Sequence, residues 1–166
     1  MNPVTWLFTR SDLERFGFEG WIPAADFHPD AVPTGVGGVY VAYRASNEPP
    51  IFLPTSSAGT RDGRDPTLPV EVLQRAWVLE SHIVYIGKAD LTPGSGLRKR
   101  VWAYVRQGRG RSAGHWGGRA TWQLADGPDL LVAWMATDRD PRDVEREMLA
   151  AFLKDHGRLP FANLVG

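Results

Sequence analysis

The order of strand-forming and helix-forming segments is the feature that most constrains the fold of this chain. Runs of β-branched and aromatic residues, bounded by glycine or polar residues, predict strands at 38–44, roughly 76–86 and 130–135. Helical patterns occupy 97–107 and the segment between Asp140 and Gly157, where Pro141 suits a first turn and Gly157 a helix end. A short strand at 121–124 is also compatible with the pattern. The order β, β, α, β, α predicts an α+β fold with helices around a small three-stranded sheet.

The 166 residues suit a single domain, with an N-terminal extension at 1–35 and a core at 36–166. Within the extension, Ser11 and Glu14 have the spacing of a capping box, which predicts a short helix at 11–16 followed by loops. Between the first two strands, residues 45–75 form an insertion. Five prolines with serine, glycine and aspartate clusters predict a long loop for 45–69.

Composition excludes several classes of protein. The chain has no cysteine, which rules out disulfides, thiol nucleophiles and cysteine-based zinc sites and fits a reducing compartment. Its longest apolar runs are too short to span a bilayer, and the N-terminus lacks the basic and apolar regions of a signal peptide. We therefore expect a cytoplasmic protein without a membrane partner.

The formal net charge is zero, but the basic residues are unevenly distributed. No acidic residue occurs between Asp90 and Asp126, a stretch that contains seven of the nineteen basic residues. These seven are Arg98, Lys99, Arg100, Arg106, Arg109, Arg111 and Arg119. Such a segment can form a local anion-binding face or an ordinary solvated surface, and charge alone does not separate the two.

The last predicted helix carries a carboxylate on its apolar side. At about 100° per residue, its apolar stripe is formed by Val144, Met148, Leu149 and Phe152. Glu145 falls inside that stripe, whereas Glu147 falls on the polar face. A carboxylate facing a core requires a metal ion, a cation or a hydrogen-bond donor. The alternative to a functional site is a buried structural ion pair with an arginine.

Other polar and aromatic residues have both functional and structural interpretations. Arg100 and Tyr104 lie one turn apart beside the apolar ridge of their helix, where they could hold a phosphate or simply cover the core. Tyr40 and Tyr85 lie in strands, where most tyrosines only pack. Lys88 could be a surface lysine, and His115, in a Gly-His-Trp-Gly-Gly loop, could be exposed and inert.

Six sequence elements occur in the order found in the GIY-YIG nuclease superfamily. They are Gly38-Val39-Tyr40, Tyr85-Ile86-Gly87-Lys88-Ala89, Leu97-Arg98-Lys99-Arg100-Val101 with Tyr104, Val144-Glu145, Met148-Leu149, and Pro160 with Asn163. Residues 36–166 thus resemble this superfamily, and in particular the nuclease module of the bacterial excision-repair endonuclease. The resemblance implies a mainly antiparallel GIY-YIG-like sheet. The chain departs from the family in the separation of Tyr40 and Tyr85, which are 45 positions apart, and in the long spacing from Glu145 to Asn163.

The resemblance also implies a mechanism and a substrate. Glu145 would bind one Mg²⁺ or Mn²⁺ ion, and Arg100 would hold the scissile phosphate. Tyr40, its pKa lowered by nearby cations including Lys88, would take a proton from the attacking water, which Tyr85 would orient. Tyr104 would contact the phosphate or pack the site, His115 would be an auxiliary base, and Asn163 would close the site. The other basic residues, Arg98, Lys99, Arg106, Arg109, Arg111 and Arg119, would bind nucleic acid.

We therefore expect a metal-dependent endonuclease that acts on DNA, whose substrate could be branched or damaged. Two alternatives from other classes remain at this point. One is a non-catalytic nucleic-acid-binding module, and the other is the same scaffold acting as an enzyme on a small molecule. Neither the oligomeric state nor the DNA sequence preference follows from the sequence.

Overall fold

A computed structural model describes residues 4–112 and 114–164. Within these ranges, no helix has both the length and the apolar character needed to cross a membrane. The architecture is α+β, as expected. The helices are α1 (Arg10–Phe16), α2 (Val70–Ala76), α3 (Leu97–Gly108) and α4 (Pro141–His156), and the strands are β1 (Glu19–Pro23), β2 (Gly38–Tyr43), β3 (Ile83–Ala89) and β4 (Leu131–Ala136).

The sheet is antiparallel and has four strands in the order β1-β4-β2-β3. Strand β2, which carries Tyr40, therefore lies in the interior, and β3, which carries Tyr85, lies at an edge. An extra residue in β3, at the shift between the pairs Ala42–Tyr85 and Tyr43–Ile83, forms a bulge. Tyr85 pairs with Ala42 before this shift, two residues from Tyr40 along β2, and therefore faces the same side of the sheet as Tyr40.

Each face of the sheet packs against different elements. Val39 and Val41 of β2 join the core that contains the apolar stripe of α4, as alternation along a strand requires. Tyr40 and Ala42 face the opposite core, which contains the apolar side of α3. Because β3 is an edge strand, residues in the first turns of α4 can reach past it to the border of the sheet face that packs against α3.

The prediction of three strands is wrong because the N-terminal extension contributes β1. This strand is short and irregular, since Gly20 and Trp21 both have positive φ and the pairing with β4 shifts at that point. A Cβ at Gly20 would lie 2.3 Å from the Trp134 ring, so the glycine is required by close packing against β4. Nothing in the local alternation of residues 19–23 predicts this strand.

Three local predictions also differ from the structure. Residues 70–76, next to the predicted second strand, form helix α2, and that strand begins at Ile83 rather than near Ala76. The segment 119–123 is a 3-10 helix rather than a strand. Helix α1 begins at Arg10 with Thr9 as its N-cap, so the predicted capping box at Ser11 is not used.

The insertion is held to the body of the protein by hydrogen bonds. The buried Gln123 side chain accepts from the backbone N–H of Leu68 and donates to the carbonyls of Leu53 and Leu68. The Ser57 hydroxyl donates to the Trp122 carbonyl at 2.9 Å. These bonds fix the course of residues 45–69, the irregular part of the insertion before α2, which has no helix or sheet strand of its own.

Candidate active site

A cluster of three tyrosines and one histidine lies where β2, β3 and α3 meet. Tyr40, Tyr85 and Tyr104 have ring centroids 5.1–6.0 Å apart, and the His115 ring lies 5.0–6.4 Å from each of them. The Tyr40 hydroxyl is 2.8 Å from His115 Nε2. Tyr104 is fully buried, and its hydroxyl is 2.7 Å from Thr121 Oγ1. Tyr104 therefore packs the site and has no surface for a phosphate.

Gly87, two residues after Tyr85 in β3, is required by the Tyr40 ring. Gly87 lies opposite Tyr40 in the β2–β3 pairing. A Cβ at this position would lie 2.5 Å from Tyr40 Cζ and 2.8 Å from Tyr85 Cε1, closer than side-chain contacts allow. The glycine thus provides the space in which the two phenols lie together.

His115 is buried, contrary to the alternative that it is an exposed loop residue. Burial, together with the charges of Arg100 and Arg61, lowers the pKa of His115 to about 3. The imidazole is therefore neutral at physiological pH. If Tyr40 donates its proton to Nε2, the proton of His115 resides on Nδ1, which has no hydrogen-bond partner among the described residues.

The expectation that the pKa of Tyr40 is lowered is wrong for the protein without bound DNA or metal ion. Burial raises the pKa of Tyr40 well above its ordinary value, and the charge of Arg100 opposes this only in part. Burial and then the charge of Glu145 raise the pKa of Tyr85 to about 12. Lys88, whose Nζ forms an ion pair with the Asp90 carboxylate at 2.5 Å, is not among the charges that act on either phenol. Both phenols are neutral at physiological pH.

A polar cavity of about 380 Å³ opens beside this cluster. Its lining includes Tyr85 from β3, Arg100 from α3 and Glu145 from α4, together with Lys88 and Asp90. Four residues predicted as functional, from three separate parts of the sequence, therefore share one cavity. Tyr40 does not line it and lies behind Tyr85 in the core.

Glu145 lies on the apolar side of α4, as helical phase predicts. It is half-buried and joins the buried Val144 and Met148, whereas Glu147 is exposed and forms an ion pair with Arg139. Burial raises the pKa of Glu145, and the charge of Lys88 opposes this shift. No hydrogen bond or ion pair to the Glu145 carboxylate is present in the parts of the chain that the structure describes, which does not support a structural ion pair.

The residues around Glu145 fit a divalent ion of the kind that keeps most of its waters. Residues 4–112 and 114–164 contain no cluster of three or more histidine, aspartate or glutamate side chains that could form an all-protein metal site. Mg²⁺ commonly uses only one or two carboxylates, with water and substrate phosphate as its other ligands. Glu145 fits that requirement, with Asp90 as the second carboxylate of the cavity.

Asn163 binds the edge of β3 and does not line the cavity. Its side-chain oxygen accepts from the Ile86 N–H at 2.9 Å, and its Nδ2 donates to the Ile86 carbonyl at 2.8 Å. The Ala162 N–H donates to the Val84 carbonyl at 2.8 Å. The segment before the C-terminus thus covers an otherwise free strand edge and fixes the strand that carries Tyr85.

The predicted nucleic-acid-binding residues of the α3 region line two adjoining cavities. Arg98 and Lys99 line one of about 490 Å³, Arg106, Arg109 and Arg111 line the other, and Trp102 of α3 lines both. Several of these side chains donate hydrogen bonds to backbone carbonyls. Arg98 donates to Val32, and Arg109 donates to Ala24 and Phe27, which ties the N-terminal extension to α3.

Two features near the site are missed by sequence reasoning. Thr121 holds the Tyr104 hydroxyl, and no local motif indicates that pairing. Arg61 lies in the insertion, and its charge acts on His115. The Asp62-Gly63 dipeptide is a signal for a tight two-residue turn, which could have indicated a hairpin there.

Comparison with known proteins finds no matching family model, no matching curated sequence and no matching solved structure.

Proposed function

We propose that this protein is a metal-dependent endonuclease that hydrolyses DNA phosphodiester bonds, on a GIY-YIG-like scaffold. The observation that carries the proposal is the meeting of Tyr85, Arg100 and Glu145 at one polar cavity, backed by the Tyr40–His115 pair. The antiparallel sheet between α3 and α4, with Tyr40 and Tyr85 on one face, also supports it. A non-catalytic module would not need a carboxylate that is half-buried with a raised pKa.

In this proposal each residue of the cavity has a separate role. The Arg100 guanidinium binds the non-bridging oxygens of the scissile phosphate. Glu145 holds the divalent ion, which when bound stabilises the negative charge that develops on the phosphate. The Tyr85 hydroxyl, at the cavity surface, orients the attacking water by a hydrogen bond.

The Tyr40–His115 pair accepts the proton of that water through Tyr85, because Tyr40 is buried behind Tyr85 and does not line the cavity. As the Tyr85 oxygen receives the water proton, Tyr85 passes its own proton to the Tyr40 oxygen and Tyr40 passes its proton to His115 Nε2, so that no phenolate has to persist in the buried cluster. The ring nitrogen is a weak base in the protein alone, partly because of Arg100 and Arg61. Phosphates bound to these arginines neutralise their charges and thereby raise the pKa of His115 when substrate arrives.

Plasmid cleavage with two matched variants tests the proposal. With Mg²⁺ or Mn²⁺, the wild type should convert supercoiled DNA to nicked or linear forms, and a chelator should stop the reaction. Glu145→Gln should lower the cleavage rate by at least about a hundredfold. Glu147→Gln, the same substitution on the exposed face of the same helix, should retain the rate, because an exposed ion pair contributes little.

Two results would overturn the proposal. One is a wild-type protein that leaves duplex DNA, single-stranded DNA and RNA intact with either metal. The other is full activity in Glu145→Gln, which would remove the carboxylate from the reaction. Thermal unfolding of both variants checks that loss of activity is not loss of the fold.

A further inference from the structure

A tight hairpin in the insertion carries two arginines side by side. Arg61 and Arg64 exchange backbone hydrogen bonds, with N–O distances of 3.3 and 2.9 Å, across the turn residues Asp62 and Gly63. Both turn residues have positive φ, as in the type I′ turns that close two-residue hairpins. Residues that pair directly across a hairpin project to the same side of the ribbon, so both guanidiniums lie on one face.

This hairpin lies against the loop that contains His115. The Arg64 guanidinium carbon lies 5.1 Å from the centre of the Trp116 ring, and that of Arg119 lies 4.7 Å from it. Two cations thus share one indole, directly after the histidine that pairs with Tyr40. Burial and the charge of Arg64 lower the pKa of Arg119, which reflects the closeness of the two like charges.

The positive charge of this cluster is only partly neutralised within the described part of the chain. There, Arg64 and Arg119 form no ion pair, and Arg61 forms a long one, at 4.0 Å, with the exposed carboxylate of its neighbour Asp62. Like charges that are held together on a rigid support favour an external anion. The support is rigid because the Gly59 N–H donates to the Gln107 carbonyl at 2.9 Å, next to the hairpin.

The hairpin cluster also lies near the reaction centre. Arg61 acts on the same imidazole as Arg100, which lines the Glu145 cavity. A guanidine nitrogen of Arg100 lies 3.4 Å from the Gly114 carbonyl, so the 114–119 loop separates the cavity from the hairpin. An anion bound by the hairpin would therefore lie beside, and not inside, the cavity.

We infer that Arg61, Arg64 and Arg119 form a phosphate clamp, which binds the DNA backbone next to the scissile phosphate. The clamp gives the insertion a function in substrate binding, and it rests on the proposed endonuclease function. Guanidiniums bind phosphate oxygens in a bidentate manner, and the stacking of Arg64 and Arg119 on Trp116 fixes the direction of these two before DNA binds.

The salt dependence of DNA binding tests this clamp. All proteins would carry Glu145→Gln so that the DNA stays intact, and the anisotropy of a labelled duplex would be followed from about 50 to about 250 mM salt. Each lost phosphate contact reduces the slope of log affinity against log salt by roughly 0.9. Arg61→Gln with Arg64→Gln should therefore lower the slope by about 2 and weaken binding by about tenfold or more at low salt.

Two control proteins separate loss of phosphate contacts from loss of local structure and from a general loss of positive charge. Arg61→Lys with Arg64→Lys keeps both charges but removes the guanidinium groups, and it should keep most of the slope. If the glutamine variants acted only by removing a structural stacking contact, the lysine variants would lose the slope as well. Arg75→Gln with Lys154→Gln removes the same charge from exposed residues that do not line the cavity, and it should change the slope little.

The outcomes distinguish the clamp from the proposed function. If Arg61→Gln with Arg64→Gln keeps the parent slope and affinity, or if the distant pair lowers both equally, the clamp is wrong and the endonuclease proposal stands. If the parent protein binds no DNA and the wild type cleaves none, the proposed function fails and the clamp fails with it.

Discussion

The buried neutral His115 makes a quantitative prediction about stability and pH. In the unfolded chain the imidazole has an ordinary pKa near 6.5, whereas burial and nearby arginines lower it to about 3 in the folded protein. Between these values the unfolded chain binds more protons than the folded protein. The free energy of unfolding must therefore decrease as the pH falls from about 6.5 toward 3.

The size of this effect follows from the two pKa values. Each pH unit in the window changes the free energy of unfolding by about 1.4 kcal/mol, so lowering the pH from about 7.5 to about 4 should cost about 3 kcal/mol through His115 alone. His115→Gln removes the titrating group and can still accept a hydrogen bond from Tyr40. Carboxylates titrate equally in both proteins, so the difference between them isolates the histidine.

Urea unfolding at a series of pH values measures that difference. We expect the wild type to lose about 3 kcal/mol more stability than His115→Gln over this pH range, with no such difference in slope above pH 6.5. If the free energies of unfolding of the wild type and the variant changed in parallel from about pH 7.5 to about pH 4, His115 would not be buried as a neutral ring. It could then not serve as the acceptor of the Tyr40 proton.

Two further substitutions test the frame around the site. Gly87→Ala should destabilise the protein by about 1–3 kcal/mol and slow cleavage, because its methyl group would displace the Tyr40 ring from His115; equal urea midpoints for Gly87→Ala and the wild type would contradict this. Asn163→Ala should cost about 1–3 kcal/mol in urea unfolding, since the buried backbone of Ile86 loses two partners. Asn47→Ala, at an exposed residue with no side-chain hydrogen bond among the described residues, should change the midpoint little, and an equal loss there would remove the special role of Asn163.

Helical and strand periodicity predicted the parts of the fold whose cause is local. The phase of α4 separates Glu145 from Glu147 correctly because a regular helix of 16 residues determines which side chains share a face. Helix α3 begins at the predicted residue, and Gly157 ends α4 in the left-handed conformation. In each case the residues that determine the structure are close in sequence.

The parts that sequence did not predict depend on distant contacts. Strand β1 exists because Trp134 of β4 packs over Gly20, more than a hundred residues away in sequence. The segment that ends at Gln123 has the residue pattern of a strand, but its backbone forms a 3-10 helix. The Gln123 side chain donates hydrogen bonds to the carbonyls of Leu53 and Leu68 in the insertion. Local propensity carries no information about such pairings.

The candidate site shows the same division. Residue types and order indicated Arg100, Glu145 and the two tyrosines, and all four lie within one region of the structure. The ionisation states of the tyrosines could not be predicted from the sequence. Nearby cations suggested a lowered tyrosine pKa, whereas burial outweighs the effect of the cations and raises the pKa. Burial of His115 is a property of the closed ring cluster, and its glycine-rich flanks give no sign of it.

The origin of the oxygen atom in the product, together with a search for a covalent protein–DNA species, distinguishes direct hydrolysis by water at the Glu145 cavity from attack by a protein side chain. A defined duplex would be cut under single-turnover conditions in water enriched in the heavy isotope of oxygen, and the fragments would be analysed by mass spectrometry. We predict metal-dependent cleavage in which each new terminal phosphate carries one heavy oxygen and no DNA becomes attached to Tyr40 or Tyr85. A covalent tyrosine–DNA adduct, an unlabelled phosphate, or no cleavage at all would be incompatible with hydrolysis by water at this cavity.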